Sequence, residues 1–213
     1  MPTSGNAARD YGVPSIRKLS SLGFLCGFVG TASFMIVIDY VRPDRCQAKR
    51  RRKAPMSSYT LALLLAQTPK EIDGRPVVAR VHDEHVHGPY DVREARPNLL
   101  CLTYLTTGAP RAYEISDEAA LVRSHDGKPI TVVHGGIHAT SLPGEALLHA
   151  GIAVRGEVNP EFQEGILRKA LETGPGEKAV LRMRDIPGTL VRPPADWSWM
   201  RRKDYLLAPT IQT

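Results

Sequence analysis

Three short apolar stretches, each followed by glycine and small polar residues, constrain the fold of this chain most strongly. They are residues 99–105 before Thr106-Thr107-Gly108, residues 130–133 before a glycine pair, and residues 152–155 before Gly156-Glu157. A helical pattern follows each of them. Alternating apolar strands and helices are typical of an open parallel sheet. Ligands of such sheets bind beyond the carboxyl ends of the strands, where these turns would gather.

Two more strands and four helices complete the predicted pattern. Residues 34–38 are apolar on both faces, as a central parallel strand should be, and residues 76–81 form the next predicted strand. The predicted helices are 61–66 after an N-cap at Ser57 or Ser58, 107–125 ending at Asp126-Gly127, 143–149, and 160–170 after the N-cap Asn159. The sequence therefore predicts an α/β fold: a Rossmann-like (flavodoxin-like) open parallel five-stranded sheet with helices on both faces.

The length of the chain and the positions of its prolines predict how it is divided into a domain and its extensions. A chain of 213 residues with 42% hydrophobic content suits one α/β domain with extensions. We expect an N-terminal extension at 1–32, the Rossmann-like domain at 33–175 and a linker at 176–213. Proline recurs in that last region, at Pro187, Pro193, Pro194 and Pro209, which indicates a segment that crosses the surface.

An uncharged apolar stretch at residues 22–38 has two interpretations. It follows Arg17 and Lys18, so it resembles a signal peptide or a short membrane anchor. Alternatively its end is the first strand and the rest is an extension, which we favour because glycines dilute a stretch already short for a membrane span. The three cysteines are odd in number and far apart, so no disulfide framework, zinc site or iron–sulfur site is indicated. A cytoplasmic protein is expected.

Six basic residues lie close together at positions 45–53. Such a run can bind nucleic acid or lipid phosphates. No aromatic residue alternates with these charges to stack on bases, which favours a solvated loop at the ligand edge. We expect no nucleic-acid partner.

The region after the second strand contains His82, Asp83, His85 and His87. These side chains offer a metal cluster, and with it a metal-dependent hydrolase as one alternative function. On a straight strand they would project to opposite faces, a poor geometry for one ion. A polar strand end in solvent is the interpretation that we favour, with a ligand role for His85 as a minor alternative.

Three segments together carry a resemblance to a known family. The sequences DEHVHGPYD, NLLCLTYLTTGAPRAYEISDEA and KPITVVHGGIHATSLPGEALLHAGIAVRGEVNPEF resemble the amino-terminal cobalamin-binding domain of cobalamin-dependent radical S-adenosylmethionine enzymes. The likeness covers roughly residues 33–171. Residues 194–213 look like the connector that precedes that family's CxxxCxxC motif, which is absent from this chain. The expectation is a binding half without its catalytic half.

The resemblance implies a corrinoid site with three walls at the sheet edge. The residues that it assigns to them are Thr106, Thr107 and Gly108; Gly135, Gly136, His138 and Thr140; and Gly156 with Glu157. The D-x-H-x-x-G signature, by which many cobalamin domains supply a histidine to cobalt, matches Asp83, His85 and Gly88. In the family it follows the first strand, whereas here it follows the second, so cobalt without a protein imidazole is implied.

The resemblance also implies which partners the chain would need. Cobalamin is the expected cofactor, and a separate radical S-adenosylmethionine domain or subunit would supply the [4Fe-4S] cluster and S-adenosylmethionine. The chain alone should not be catalytic. Another alternative is a degenerate, non-binding Rossmann-like domain that makes only protein contacts, in which Gly135-Gly136 is simply a tight strand exit.

Overall fold

The structure, a computed structural model, describes residues 35–44, 54–56, 58–157, 159–174, 176–182 and 194–207. The strands are β1 (Ile36–Arg42), β2 (Ala54–Met56), β3 (Glu71–Ile72), β4 (Arg75–Asp83), β5 (Leu99–Thr103), β6 (Thr131–Gly135), β7 (Ile152–Arg155), β8 (Ala179–Arg182) and β9 (Tyr205–Leu207). The α-helices are α1 (Tyr59–Gln67), α2 (Glu84–His87), α3 (Val92–Ala95), α4 (Ala109–Ala120), α5 (Ile137–Ser141), α6 (Pro143–His149) and α7 (Pro160–Glu172).

Seven strands form one sheet in the order β3-β4-β1-β5-β6-β7-β8. All neighbours pair in parallel except β3, a two-residue strand antiparallel to β4. Without β3 and β8, the order is the 2-1-3-4-5 order of flavodoxin-like sheets, whose ligand crevice lies where the connections change direction. The predicted fold class is therefore confirmed.

The predicted count of five strands was wrong, because the sequence pattern missed both edges. At one edge β3 has only two residues, too few to show the alternation of apolar and polar side chains that identifies a strand. At the other, β8 lies inside the region that was expected to be linker, and its four residues are all only half-buried. An edge strand of this kind lacks the continuous apolar run that identifies a central parallel strand.

The first strand is longer than predicted and lies in the interior of the sheet, between β4 and β5. It continues through Asp39 to Arg42, because Arg80 on β4 pairs with the buried Asp39 carboxylate and makes a charged residue tolerable there. Residues 36–38 of the apolar stretch are thus part of a buried strand. Residues 22–34 lie outside the described residues. Within the part that the structure describes, no helix has the length and apolar character to span a membrane.

Helices cover both faces of the sheet, as predicted. On one face α1 and α7 bury Leu61, Phe162 and Leu167 against alternate residues of the central strands. On the other face α4 buries Ala112 and Ile115 against the remaining strand residues. The carboxyl ends of β5, β6 and β7 emerge between these two layers.

Helix boundaries follow their capping groups. Ser58 and Asn159 accept hydrogen bonds at the beginnings of α1 and α7, as the sequence predicted. Helix α4 ends at Ala120 and not at Asp126-Gly127. The chain leaves the helix earlier because the Ser124 hydroxyl donates to the Asp126 carboxylate and closes a local turn.

Part of the C-terminal region packs on the domain. Strand β9 pairs in parallel with β2, the Tyr205 hydroxyl donates to Asp83 at 3.1 Å, and the Asp196 amide donates to the Ala62 carbonyl at 3.0 Å. Residues 194–207, expected to be linker, therefore contact the carboxyl end of β4 and helix α1. The basic run at 45–53 lies outside the described residues.

Candidate functional site

A cavity of about 420 Å³ lies between the carboxyl half of the sheet and the α1/α7 layer. Most of its wall is apolar, contributed by strands β5, β6 and β7 and by the two helices. The lining residues are Tyr40, Tyr59, Thr60, Leu63, Leu64, Cys101, Leu102, Thr103, Val133, Gly135, Gly136, Ile137, Thr140, Ser141, Val154, Gly156, Glu157, Gln163, Ile166 and Leu167. A pocket of this size with few polar groups has the dimensions of a small-molecule site.

Two of the three walls predicted for the cofactor meet at this cavity. Gly135, Gly136, Thr140, Gly156 and Glu157 all line it. Consecutive parallel strands bring their exits to one edge, so residues about 20 positions apart become neighbours.

The other predicted residues lie on the opposite, α4 face of the strands. Thr106, Thr107 and Gly108 form a 3₁₀ turn before α4, and His138 hydrogen-bonds to Tyr113 of that helix. Gly108 is packed closely, since a Cβ there would be 3.3 Å from the Pro43 carbonyl oxygen. The sequence pattern did not separate these residues from the cavity, because it carries no information about the face on which each turn leaves the sheet.

The glycine pair after β6 has two different physical roles. Gly136 has φ +91°, and a Cβ there would lie 2.7 Å from the Tyr104 carbonyl oxygen, so close backbone packing requires glycine. Gly135 is different, because its nearest neighbour would be the Leu102 carbonyl oxygen at 3.9 Å. Close packing at the strand exit thus requires glycine at position 136. At Gly135 no side chain covers the backbone that faces the cavity.

Polar atoms at the floor of the cavity are bonded to one another. The Gln163 amide donates to the Tyr40 hydroxyl at 2.5 Å, and that hydroxyl also lies 2.7 Å from Thr68 Oγ1. Burial raises the pKa of Tyr40, so the phenol remains neutral. Burial likewise raises the pKa of the Cys101 thiol to about 12, which leaves an unreactive apolar group in the wall.

The rim above β6 and β7 is held by Thr140. Its Oγ1 accepts a hydrogen bond from the Gly156 amide at 3.1 Å, and its carbonyl accepts one from Arg155 Nε at 3.2 Å. Ile137 and Tyr59, 65% and 46% exposed, stand on the same rim. The sequence pattern did not assign α1 and α7 to the site. The sequence of α1, YTLALLLAQ, is apolar almost all round, and this was the one signal that the helix is buried.

The polar segment at the end of β4 is only partly in solvent: Asp83 and Glu84 are buried, whereas His82 and His85 are half-buried and His87 is exposed. Asp83 is fully buried at the end of the strand, and α2 begins at the next residue. Burial would raise the pKa of Asp83, but hydrogen bonds from His85 and the charge of Arg42 lower it. The carboxylate is therefore a charged anchor for the turn.

Each of the three histidines of this segment makes its own hydrogen bond within the turn. His82 Nε2 lies 2.8 Å from the Gly88 carbonyl oxygen, and His87 Nδ1 accepts the Asp83 amide at 3.0 Å. His85 Nδ1 lies 3.1 Å from Asp83 Oδ1, and His85 does not line the cavity. No group of three or more His, Cys, Asp or Glu residues within the described ranges is arranged to hold a metal ion.

No protein-family model, curated protein or solved structure matches this chain. The fold, the cavity and the local resemblance of the sequence are therefore the grounds for a function.

Proposed function

We propose that this chain binds cobalamin at the carboxyl edge of β5, β6 and β7, and that it delivers the cofactor to a radical S-adenosylmethionine domain or subunit. The observation that carries this proposal is the apolar cavity beneath that edge. It lies in the sheet region where flavodoxin-like folds bind their ligands.

The cavity fits the aromatic base at the end of a corrinoid's nucleotide tail better than it fits the pyrophosphate of a dinucleotide. Its walls include Leu63, Leu64, Val133 and Ile166, which suit an aromatic base. A buried phosphate would need several charged or amide donors. The sequence has no G-x-G-x-x-G fingerprint at the strand exits to supply them.

The rim offers contacts for the macrocycle and its amide side chains. Open backbone at Gly135 permits close approach, and the exposed Ile137 and Tyr59 side chains would pack on apolar parts of the ring. Thr140 and Glu157 would hydrogen-bond to peripheral amides. Bound cobalamin would supply organometallic chemistry at cobalt, whereas these residues bind it, orient it and exclude water.

Reconstitution with hydroxocobalamin tests the proposal. Purified protein is incubated with the corrinoid and passed through gel filtration, and the corrin absorbance that coelutes is measured. We expect about one corrinoid per chain. Colourless protein that retains its circular dichroism spectrum would contradict the proposal and favour a Rossmann-like domain that makes only protein contacts.

A matched pair of variants on helix α1 locates the site. Leu63→Trp fills the cavity, whereas Leu65→Trp makes the same change at a half-buried position of the same helix that does not line it. We expect at least a 10-fold loss of corrinoid affinity for the Leu63 variant alone. Equal affinities would place the corrinoid elsewhere. Zinc analysis of the same wild-type sample tests the metal-dependent hydrolase, which requires stoichiometric metal lost in His85→Ala.

A further inference from the structure

Thr106 and His138 meet beyond the carboxyl ends of β5 and β6, on the face opposite the cavity. Thr106 is exposed, whereas His138 in α5 is 3% exposed. Thr106 Oγ1 lies 3.3 Å from His138 Nδ1. Neither residue lines the cavity, so the pair has no part in the corrinoid site proposed above.

Hydrogen bonds on the far side of the imidazole fix its tautomer. The Tyr113 hydroxyl donates to Glu145 Oε1 at 3.0 Å and lies 2.9 Å from His138 Nε2. Because the Tyr113 proton is directed at Glu145, its oxygen accepts from His138, and Nε2 carries the imidazole proton. His138 Nδ1 is then an unprotonated acceptor, and Thr106 is the donor to it.

Neighbouring groups hold this arrangement in place. Burial, together with the hydrogen bond to Glu145, raises the pKa of Tyr113 to about 12, so the phenol keeps its proton at neutral pH. The Tyr113 ring stacks on His149 with centroids 4.3 Å apart, and the Tyr104 ring packs against His138 at 5.6 Å. A buried base whose orientation is fixed before any ligand arrives is the arrangement that general-base catalysis requires.

We propose that Thr106 is a nucleophilic hydroxyl, activated by His138 as general base, that accepts an acyl group from an activated ester. The Thr106 oxygen bonds to the acyl carbon while its proton passes to His138 Nδ1. The carbon–oxygen bond to the leaving group then breaks, and the leaving alkoxide or phenoxide departs with the proton returned by His138. Thr106 also precedes the N-terminus of the 12-residue helix α4, whose positive pole favours the negative charge that develops on the carbonyl oxygen.

Reaction of the purified chain with p-nitrophenyl acetate, in the absence of cobalamin, tests this proposal. We expect a burst of p-nitrophenolate of about one equivalent per chain, with an acetyl group on the peptide that contains Thr106. Thr106→Val should abolish both, and Thr106→Ser should retain them. Thr173→Val is the matched control and should react as the wild type does, because the Thr173 hydroxyl donates to the Lys169 carbonyl and has no imidazole partner.

Two further variants test whether His138 activates Thr106, or whether Thr106 reacts only because its hydroxyl is exposed. His138→Gln should slow acetylation of Thr106 by about 100-fold or more, the lower range for loss of a general base. Tyr113→Phe, a change at the positioning residue, should slow it less and should lower the burst rate without changing its amplitude. Acetylation at unrelated residues only, or an unchanged rate in His138→Gln with circular dichroism intact, would overturn the proposal. Either result leaves the corrinoid test unaffected.

Discussion

Arg111 on α4 and Glu84 at the beginning of α2 form a buried, doubly hydrogen-bonded ion pair. Arg111 Nη2 and Nε donate to Glu84 Oε1 at 3.0 and 3.1 Å. Glu84 also accepts the backbone amides of Tyr90 and Asp44, at 2.7 and 2.8 Å. The carboxylate thus ties the exits of β1 and β4 to the helix layer, with its lone pairs occupied.

Neutralising Glu84 should destabilise the protein strongly. Glu84→Gln removes the buried counter-charge of the Arg111 guanidinium and leaves only the exposed Glu114 carboxylate as its partner, which costs about 3 kcal/mol or more of unfolding free energy. Urea denaturation followed by circular dichroism measures the loss. Glu114→Gln is the control, since Glu114 pairs with the same arginine while 61% exposed, and its removal should change stability by about 0.5 kcal/mol at most. Similar losses in both variants would show that the buried pair has no special role.

His134 should make the folded protein less stable in mild acid. Its Nδ1 lies 2.7 Å from the Tyr104 hydroxyl and its Nε2 lies 2.7 Å from Ser116 Oγ. Burial, followed by the charges of His149 and His138, lowers the pKa of His134 to about 3. The unfolded chain, with a histidine pKa of about 6.5, therefore binds one proton more than the folded protein between these two values.

The sign of this linkage gives a measurable slope. The stabilisation from neutral His134 is fully present above pH 6.5 and is lost, by about 1.4 kcal/mol per pH unit, as the pH falls toward 3. Between pH 7 and pH 5 the wild type should lose about 2 kcal/mol more than His134→Gln, which has no imidazole to titrate at this position. Urea midpoints at the two pH values measure this difference. Parallel pH dependences would mean that His134 titrates normally in the folded state.

Replacing Gly136 should be far more costly than replacing Gly144. Gly136→Ala places a methyl group 2.7 Å from the Tyr104 carbonyl oxygen and forces a non-glycine residue to φ +91°. We expect a loss of about 2 kcal/mol or more in thermal or urea unfolding. Gly144 lies in α6 with nothing near its Cβ position, so Gly144→Ala should be neutral or should add about 0.5 kcal/mol. A tolerated Gly136→Ala would contradict the close packing described at this strand exit.

The N-cap of α7 offers a smaller, specific test. Asn159 is 1% exposed, and its Oδ1 accepts the Phe162 amide at 2.7 Å. Asn159→Ala should cost about 1 kcal/mol of unfolding free energy, because that amide loses its partner. Asn159→Asp keeps the acceptor oxygen and should retain most of the stability. A loss of the same size in both variants would point to the side-chain amide group, and not to the cap, as the stabilising feature.

Sequence periodicity predicted the layers of the domain well and its edges poorly. The buried strands β5, β6 and β7 are apolar runs that end in glycine, so local composition alone revealed them. Strand β8 and the ribbon of β2 and β9 are short and depend on neighbours distant in sequence. Asp83 and Glu84 have charged side chains, yet both are buried in the folded protein. Their burial is possible because Tyr205 and Arg111, from other parts of the chain, donate hydrogen bonds to the two carboxylates.

The sequence by itself determined an α/β Rossmann-like sheet whose glycine-ended strands share one edge, because burial on both faces and sharp exits are local requirements of the chain. Only the tertiary structure decided on which face each exit continues. It places Gly135 and Thr140 at the cavity and Thr106 and His138 on the α4 side. The physical reason is that the face reached by a turn depends on the helix that packs beside it, and such packing joins residues too far apart for any local pattern to record.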